Sequence, residues 1–382
     1  MPSAPVVEIE ALTFRYRRAT QPAVRDLSLS IEPGEVLLVA GPSGCGKSTL
    51  LRAINGLVPH AYSGELGGIV RIEGRPTTEL RLREISAVVG TLLQDPAKQI
   101  VGSTVEGELA FGPENMGMPP AEIAARIREV VTHTQIAHLV GRETAFLSGG
   151  ERQLLAMAGA LMLRPRCYVV DEPLANLDPV TAHHLLALLR TLADAGHAVV
   201  IVEHRVEEAL ALRPDRVLAM DDGRCTYLGS VDGFLATADP GAVKLPFEIV
   251  LDHARRSGAP PAPTAAKAEA DPGPSRLAFE GVHVSLGERA VLHGIDADLR
   301  AREIVAVLGP NGSGKTTLFR TAMQLVMPDA GRVLVDGRAV SGTPIAELAR
   351  SIGYVFQSPS QMLFARTVRE ELLFGPDRKS VV

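Results

Sequence analysis

Two stretches of this chain place a lysine and a hydroxyl residue directly after spaced glycines: "GPSGCGKSTLL" at 41–51 and "GPNGSGKTTLF" at 309–319. Such spacing suits a phosphate. Gly41, Gly44 and Gly46 let successive backbone N–H groups turn inward, and a helix starting near Lys47 adds its positive N-terminal dipole. Lys47 would reach the β- and γ-phosphates, and the Ser48 hydroxyl would ligate Mg²⁺. Pro42, Ser43, Cys45 and Thr49 complete the cradle. The second loop repeats the arrangement with Gly309, Pro310, Asn311, Gly312, Ser313, Gly314, Lys315, Thr316 and Thr317, where Thr316 takes the metal role of Ser48. A glycine turn opening a helix is the plain alternative. The pattern nevertheless occurs twice, each time after an apolar, β-like run, so both loops are read as sites for a nucleoside triphosphate.

A triphosphate site also needs a carboxylate for the metal and a group to activate water. "CYVVDEP" (167–173) ends an apolar run in two carboxylates. Asp171 would hold the Mg²⁺ shell and Glu172 would polarise the attacking water, since phosphoryl transfer rests on positioning and charge stabilisation. In isolation such a strand end is an ordinary turn; downstream of a phosphate loop it reads as catalytic. "LSGGERQ" (147–153) sets Ser148, Gly149 and Gly150 at the mouth of a helix, where small residues leave bare N–H groups open to a phosphate. A serine N-cap with a glycine spacer explains the serine but not the paired glycines.

The elements that position these groups follow from the apolar pattern. "EVLLVAG", "YVVDEP" and "AVVIVEH" (198–204) are short apolar runs ending in turns, as buried parallel strands are. "AHHLLALLRTLADAGH" (182–197) has helical spacing. Strands alternating with helices predict an α/β fold, a parallel sheet with helices on its faces. The chain also repeats itself: residues 35–58 match 303–326 at an offset of 268, and 92–113 match 355–376 at an offset of 263. The five-residue difference falls in "PHAYSGELGG" (59–68), and "RRSGAPPAPTAAKAEADPGPSR" (255–276) reads as a semi-extended linker. The expected organisation is a complete nucleotide-binding domain over 1–240, a connector and linker over 241–275, and the N-terminal part of a second domain over 276–382.

Composition narrows the setting. A net charge of −5 over 382 residues argues against a broad nucleic-acid surface, and no nucleic-acid partner is expected. Cys45, Cys167 and Cys225 have neither metal-ligand spacing nor a disulfide framework, which favours a reducing compartment. No apolar run reaches about 18 residues and the N-terminus lacks a signal-peptide pattern, so the chain is not expected to span a membrane itself.

With "LSGGERQ", "DEP" and the following "LANLDP" (174–179), the sequence resembles the ATP-binding-cassette (ABC) ATPases. "LQDPAKQIVGSTVEGELAFGPENMGM" and "IVEHRVEEAL" (201–210) are similar, more narrowly, to the ATPase subunits of energy-coupling-factor importers, which take up vitamins, vitamin precursors, cobalt or nickel. The likeness runs over 7 to about 236 and again over 276–376. It implies a P-loop NTPase with an ABC-type nucleotide-binding domain, tandemly repeated. It implies ATP and Mg²⁺ as cofactors and integral membrane transport components as partners. A homodimer or a second ATPase subunit would complete the assembly, at the cytoplasmic face of the cell membrane. It gives Gln94 a contact to Mg²⁺ or the water and a relay toward the membrane partner, with Gln357 as its second-copy equivalent. His204 would sense the γ-phosphate, Asp178 would lie across a dimer seam, and Tyr16 would stack on adenine. Leu286 stands where the second copy would need that tyrosine, and Leu154 stands where the family commonly has arginine.

In that family one module's phosphate loop and another module's signature sandwich the ATP. Ser148, Glu172 and His204 lie 35, 59 and 91 residues beyond Pro113; equal steps from Pro376 fall near 411, 435 and 467, past residue 382. The second module is therefore expected to be truncated, and neither internal composite site to be complete. Full sites would form where two first modules pair between chains. A soluble tandem cassette acting on ribosomes or DNA is the alternative, as is a nucleotide-binding fragment with little activity. The Pro/Ala-rich linker and negative charge disfavour the ribosome or DNA reading.

Overall fold

A computed structural model describes residues 4–175, 177–256, 273–287, 289–310, 312–356 and 362–378. The chain divides into two compact units, Met1–Ala262 and Pro263–Val382. Most of the expected linker lies outside the described residues, as do Asn311 and Gln357.

In the first unit the strands run β1 (Val7–Tyr16), β2 (Val24–Ile31), β3 (Val36–Ala40), β4 (Gly64–Ile72), β5 (Arg75–Pro76), β6 (Val89–Leu92), β7 (Cys167–Asp171), β8 (Ala198–Val202), β9 (Arg216–Asp221) and β10 (Arg224–Gly229). They form an antiparallel sheet in the order β2-β1-β4-β5 and a larger sheet in the order β10-β9-β3-β8-β7-β6. Within the larger sheet β9, β3, β8, β7 and β6 are parallel neighbours, and β10 closes the edge antiparallel.

The unbroken apolar runs have a simple cause. Every residue of β3 and β8 is buried. Alternate side chains enter two different cores, because a strand points successive residues to opposite faces. Leu38, Val170, Ile201 and Tyr168 join the core beneath the helices Gly149–Leu161 and Pro179–Asp194. Leu37, Val39, Val169 and Val200 join the core shared with the helix Lys47–Ile54 and the antiparallel sheet. A strand covered on both faces needs no polar residue. Each such Val or Leu contributes roughly 1.5–3 kcal/mol when fully buried. Burial also pushes the Cys167 thiol up to about 12, so this cysteine acts as packing.

The helix expected over 182–197 is Pro179–Asp194. It starts three residues early because Asp178 caps it and Pro179 occupies its first turn, where a missing N–H costs nothing.

The second unit contains β11 (Ser275–Leu286), β12 (Arg289–Arg300), β13 (Ala330–Val335) and β14 (Arg338–Ala339), an antiparallel sheet in the order β12-β11-β13-β14. Phe279, Val282, Val284, Leu292, Val333 and Leu348 form its core. The helix Lys315–Ala322 follows the second glycine loop as expected. One expectation is corrected: residues 303–310 form no paired strand, and Ile304 and Leu308 are 100% and 89% exposed. In the first unit β3 is held between β8 and β9, which come from residues 198–221. Among the described residues of the second unit, no strand offers that pairing.

Candidate functional site

The parallel register sets the geometry. Val39 of β3 pairs Val202 of β8, Val202 pairs Asp171 of β7, and Leu92 of β6 pairs Val170 of β7. The carboxyl ends of four strands therefore lie side by side. The glycine loop leaves β3, His204 follows β8, Asp171 and Glu172 end β7, and Gln94 follows β6. The carboxyl edge of an open parallel sheet is where ligands bind.

The loop wraps because two of its residues must be glycine. Gly41 has φ 147° and Gly46 φ 109°, and a Cβ would run into the Met220 carbonyl at Gly41 and the Ala23 carbonyl at Gly46. Lys47 is only 5% exposed, and its ammonium donates to the carbonyl oxygens of Gly41 and Pro42 at 2.7 and 2.8 Å. Cys45 is buried with its Sγ 3.8 Å from the Lys47 Nζ. Ser48 lies in the first turn of the helix Lys47–Ile54, with its hydroxyl beside Asp171.

Burial pushes the Asp171 carboxyl above the ordinary carboxylate range, helped by the Glu172 charge and opposed by the Ser48 hydroxyl, Arg52 and Lys47. Its Oδ1 is buried with no hydrogen-bond partner. An orphaned carboxylate oxygen beside a serine hydroxyl suits a divalent cation. Among the described residues no cluster of three or more His, Cys, Asp or Glu forms a cage for a metal. The orphaned oxygen fits Mg²⁺, which is held by one or two carboxylates plus substrate phosphates. Ser48, Asp171 and Gln94 could hold it there.

Glu172 is the point where the remaining groups meet. The Gln94 amide donates to its Oε2 at 2.8 Å, and the His204 Nδ1 lies 3.7 Å from its Oε1. Its backbone is left-handed, φ 45°, a conformation that costs a non-glycine residue energy.

A cavity of about 370 Å³ opens over the loop, lined by Tyr16, Lys47, Ser48, Arg52, Gln94 and Glu172 among others. Tyr16 packs edge-on against Phe14, ring centroids 4.9 Å apart. Its hydroxyl contacts Thr49 Oγ1 at 3.1 Å and accepts from Arg52 at 2.8 Å. Arg52 also lies over the Tyr62 ring, 4.5 Å from its centroid. Arg52 went unnoticed in the sequence, although Ser48 and Arg52 stand four apart and share a helix face.

The signature stands at the mouth of its own helix. Ser148 is the N-cap: its Oγ accepts from the Glu151 N–H at 3.3 Å while its own N–H donates to Glu151 Oε2 at 2.7 Å. Burial works to raise the Glu151 carboxyl, but the Ser148 N–H and Arg142 outweigh it and hold it below its usual value. A Cβ at Gly149 would meet nothing within 4 Å. Among the described residues nothing requires glycine there. Asp178 likewise caps the helix Pro179–Asp194, accepting from Val180 N, Thr181 N and Thr181 Oγ1. Leu154 packs against the core under that helix.

The second loop repeats the first in outline. Gly309, Gly312 and Gly314 have φ of 156°, 80° and 91°, and Lys315 donates to the carbonyls of Gly309 and Pro310 at 2.7 and 2.8 Å. Thr316 is exposed, as is Leu286 at the end of β11. Among the described residues of this unit, no counterpart of Asp171, Glu172 or His204 stands beside the loop.

A glycine-wrapped lysine with the paired carboxylates Asp171 and Glu172 at one sheet edge is the arrangement of a P-loop nucleoside triphosphatase. The sequence pattern of the ABC transporter family matches residues 24–175 and 292–381, and the chain belongs to that family as an ATP-binding protein. It is 33% identical over 409 residues to a provisionally named ABC transporter ATP-binding protein of Methanosarcina mazei, covering 97% of this chain and 69% of that one. It is 31% identical to a provisionally named HMP/thiamine import ATP-binding protein, YkoD, of Bacillus subtilis, covering 97% of this chain and 71% of that one. Among solved structures it is similar to cbiO1 of Clostridium perfringens, described as part of the ABC transporter complex cbiONQ, with TM-score 0.55, 27% identity and coverage of 66% and 96%. It is also similar to the dimeric cassette MJ0796 bound to ADP and phosphate, with TM-score 0.51, 26% identity and coverage of 59% and 98%.

Proposed function

We propose that this chain is the ATPase subunit that energises a membrane importer of a vitamin, a vitamin precursor or a transition-metal ion. It works peripherally at the cytoplasmic face of the cell membrane. ATP-binding and hydrolysis for transport belong to the family. The importer class is supported by the HMP/thiamine import name of the B. subtilis relative and by the cbiONQ membership of the C. perfringens neighbour. Among the described residues no helix is long and apolar enough to cross a membrane, so the translocation path is assigned to separate integral partners. Residues 1–240 are assigned as one ABC domain, 241–275 as a connector, and 276–382 as part of a second.

The observation that carries the chemistry is the convergence of Gln94 and His204 on Glu172, beside Lys47, Ser48 and Asp171. In the proposed sequence Lys47 exchanges its two carbonyl partners for phosphate oxygens. Tyr16, tethered by Arg52, offers its ring to adenine. Mg²⁺, when bound, offsets charge on the β- and γ-phosphates. Glu172 accepts a proton from the attacking water, Gln94 holds its carboxylate in line, and His204 senses the γ-phosphate. Ser148, Gly149 and Gly150 serve a nucleotide on another copy's loop; among the described residues, nothing lies within 4 Å of where a Gly149 Cβ would stand. The dimeric, ADP- and phosphate-bound neighbour is the assembly this arrangement matches. Complete sites are assigned to pairs of first units, each of which carries both a phosphate loop and a signature. Gly309–Thr317 would bind ATP, with Thr316 and Gln357 at its metal.

The test is capture from detergent-solubilised membranes of the source cell, with tagged chain as bait and Glu172→Gln to hold ATP. Stoichiometric recovery of a protein with several apolar spans is expected. Recovery of ribosomes or nucleic acid with no membrane protein would overturn the importer assignment.

A further inference from the structure

We propose that Glu203 is a positioning residue for hydrolysis: its buried carboxylate pins the strained turn that aims Glu172 at the reacting water. The inference rests on the ATPase reading above and extends it to a residue with no contact to nucleotide.

Glu203 is fully buried, an acidic side chain directly after the five apolar residues of β8. Burial pushes its carboxyl above the usual range, opposed by the Leu174 N–H, Arg205 and His204. An ionisable group in such a place is kept only if its position is useful or its partners are strong. Its partnership is limited. Oε1 accepts from the Leu174 backbone N–H at 3.1 Å, while Oε2 is buried with no hydrogen-bond partner.

That one bond falls at a critical place. Leu174 sits two residues after Glu172, whose φ of 45° makes the turn strained. Glu172 N donates to the Val202 carbonyl at 3.0 Å, fixing one side of the turn to the end of β8. The Glu203 carboxylate fixes the other side, through Leu174, to the same strand. His204, the next residue, faces Glu172 across 3.7 Å. Glu203 therefore ties the segment that begins "LANLDP" to the segment that carries the phosphate-sensing histidine. Without the Oε1 acceptor the Leu174 N–H would be buried and unpaired, and the turn would be free to relax toward an ordinary φ. The Glu172 carboxylate would then shift relative to Gln94 and the water, and a displacement of about 1 Å can cost on the order of 100-fold in rate.

Two variants separate positioning from stability. Glu203→Met fills the same space without an acceptor and leaves the Leu174 N–H buried and unpaired, which lowers stability. Glu203→Gln keeps the acceptor oxygen. Both are compared with the wild-type 382-residue chain in Mg-ATP turnover, where the rate per chain no longer rises with protein concentration. Fluorescent-ATP binding and thermal melting are measured in parallel. The expected result is a modestly lower melting midpoint for Glu203→Met, nucleotide affinity and KM unchanged, and kcat lower by roughly 10- to 100-fold. Glu203→Gln should recover most of the turnover. If Glu203→Met loses nucleotide affinity in step with turnover, or both variants turn over like wild type, the positioning role is wrong. If the wild-type chain binds but never hydrolyses ATP, the failure lies instead with the ATPase reading.

Discussion

Asp171 shows how a catalytic residue is carried at a cost to the fold. Burial sets its folded pKa above the unfolded one, so the folded state prefers it protonated. The stability tied to it is present below the unfolded value and is lost as pH rises through the folded value. Asp171→Asn cannot ionise. It should therefore melt above wild type, with the advantage growing as pH climbs from about 4 and levelling off past the folded pKa. The plateau should be on the order of 2–4 °C per kcal/mol recovered. In Mg-ATP the order should reverse, because the variant lacks the carboxylate that holds the ion. Melting scans from acid to mildly alkaline pH, with and without Mg-ATP, measure both arms; an advantage that shrinks with rising pH would count against this account. At this scale much was legible in the sequence. Lys47, Ser48, Asp171 and Glu172 announce themselves by local spacing, since their partners lie at the ends of apolar runs. Glu203 and Arg52 did not, because an acidic strand end and an arginine on a helix look like solvated charge until the packing around them is known.

At the scale of elements, the signature helix separates a local role from a role in another molecule. Ser148 satisfies its own helix through the capping box, and such a cap contributes about 1 kcal/mol. Gly149 satisfies nothing nearby, and alanine is a better helix residue than glycine. Gly149→Ala should thus melt at or above the wild-type temperature and still lose most ATP turnover, because the added methyl stands where a phosphate from a second copy would approach. Calorimetry beside a phosphate-release assay gives the comparison; full turnover would remove the reason for assigning the glycine to a partner's nucleotide. The central strands β3, β7 and β8 were readable as elements, because burial on both faces writes itself as uninterrupted Val, Leu and Ile. The run "EIVAVLG" reads identically yet forms no strand among the described residues. A strand's identity is local but its pairing is not, and the β8 and β9 that hold β3 come from far along the chain.

For the whole molecule the decisive matter is where the two halves of an ATP site come from. In the proposed reading the first unit supplies a loop, a metal carboxylate, a water activator and a signature. Ser148 and Asp178 are satisfied within their own helices, and Gly149 has open space in front of it. In the proposed two-fold pair each copy's loop would meet the other's signature. Repetition of the loop at 309–317 was visible from the sequence offset alone. The pairing partner was not visible, because complementarity between surfaces leaves no periodic trace in one chain.

The most direct measurement is complementation between two inactive variants. Lys47→Ala removes the loop's cation and Gly149→Arg blocks the signature, so each alone should hydrolyse no more ATP than Glu172→Gln. Mixed in equal amounts, half of the pairs would join unlike copies and carry one whole site of two, so turnover should return to about one quarter of wild type. A mixture as inactive as its components, or a Gly149→Arg chain that hydrolyses at full rate alone, would contradict the paired site.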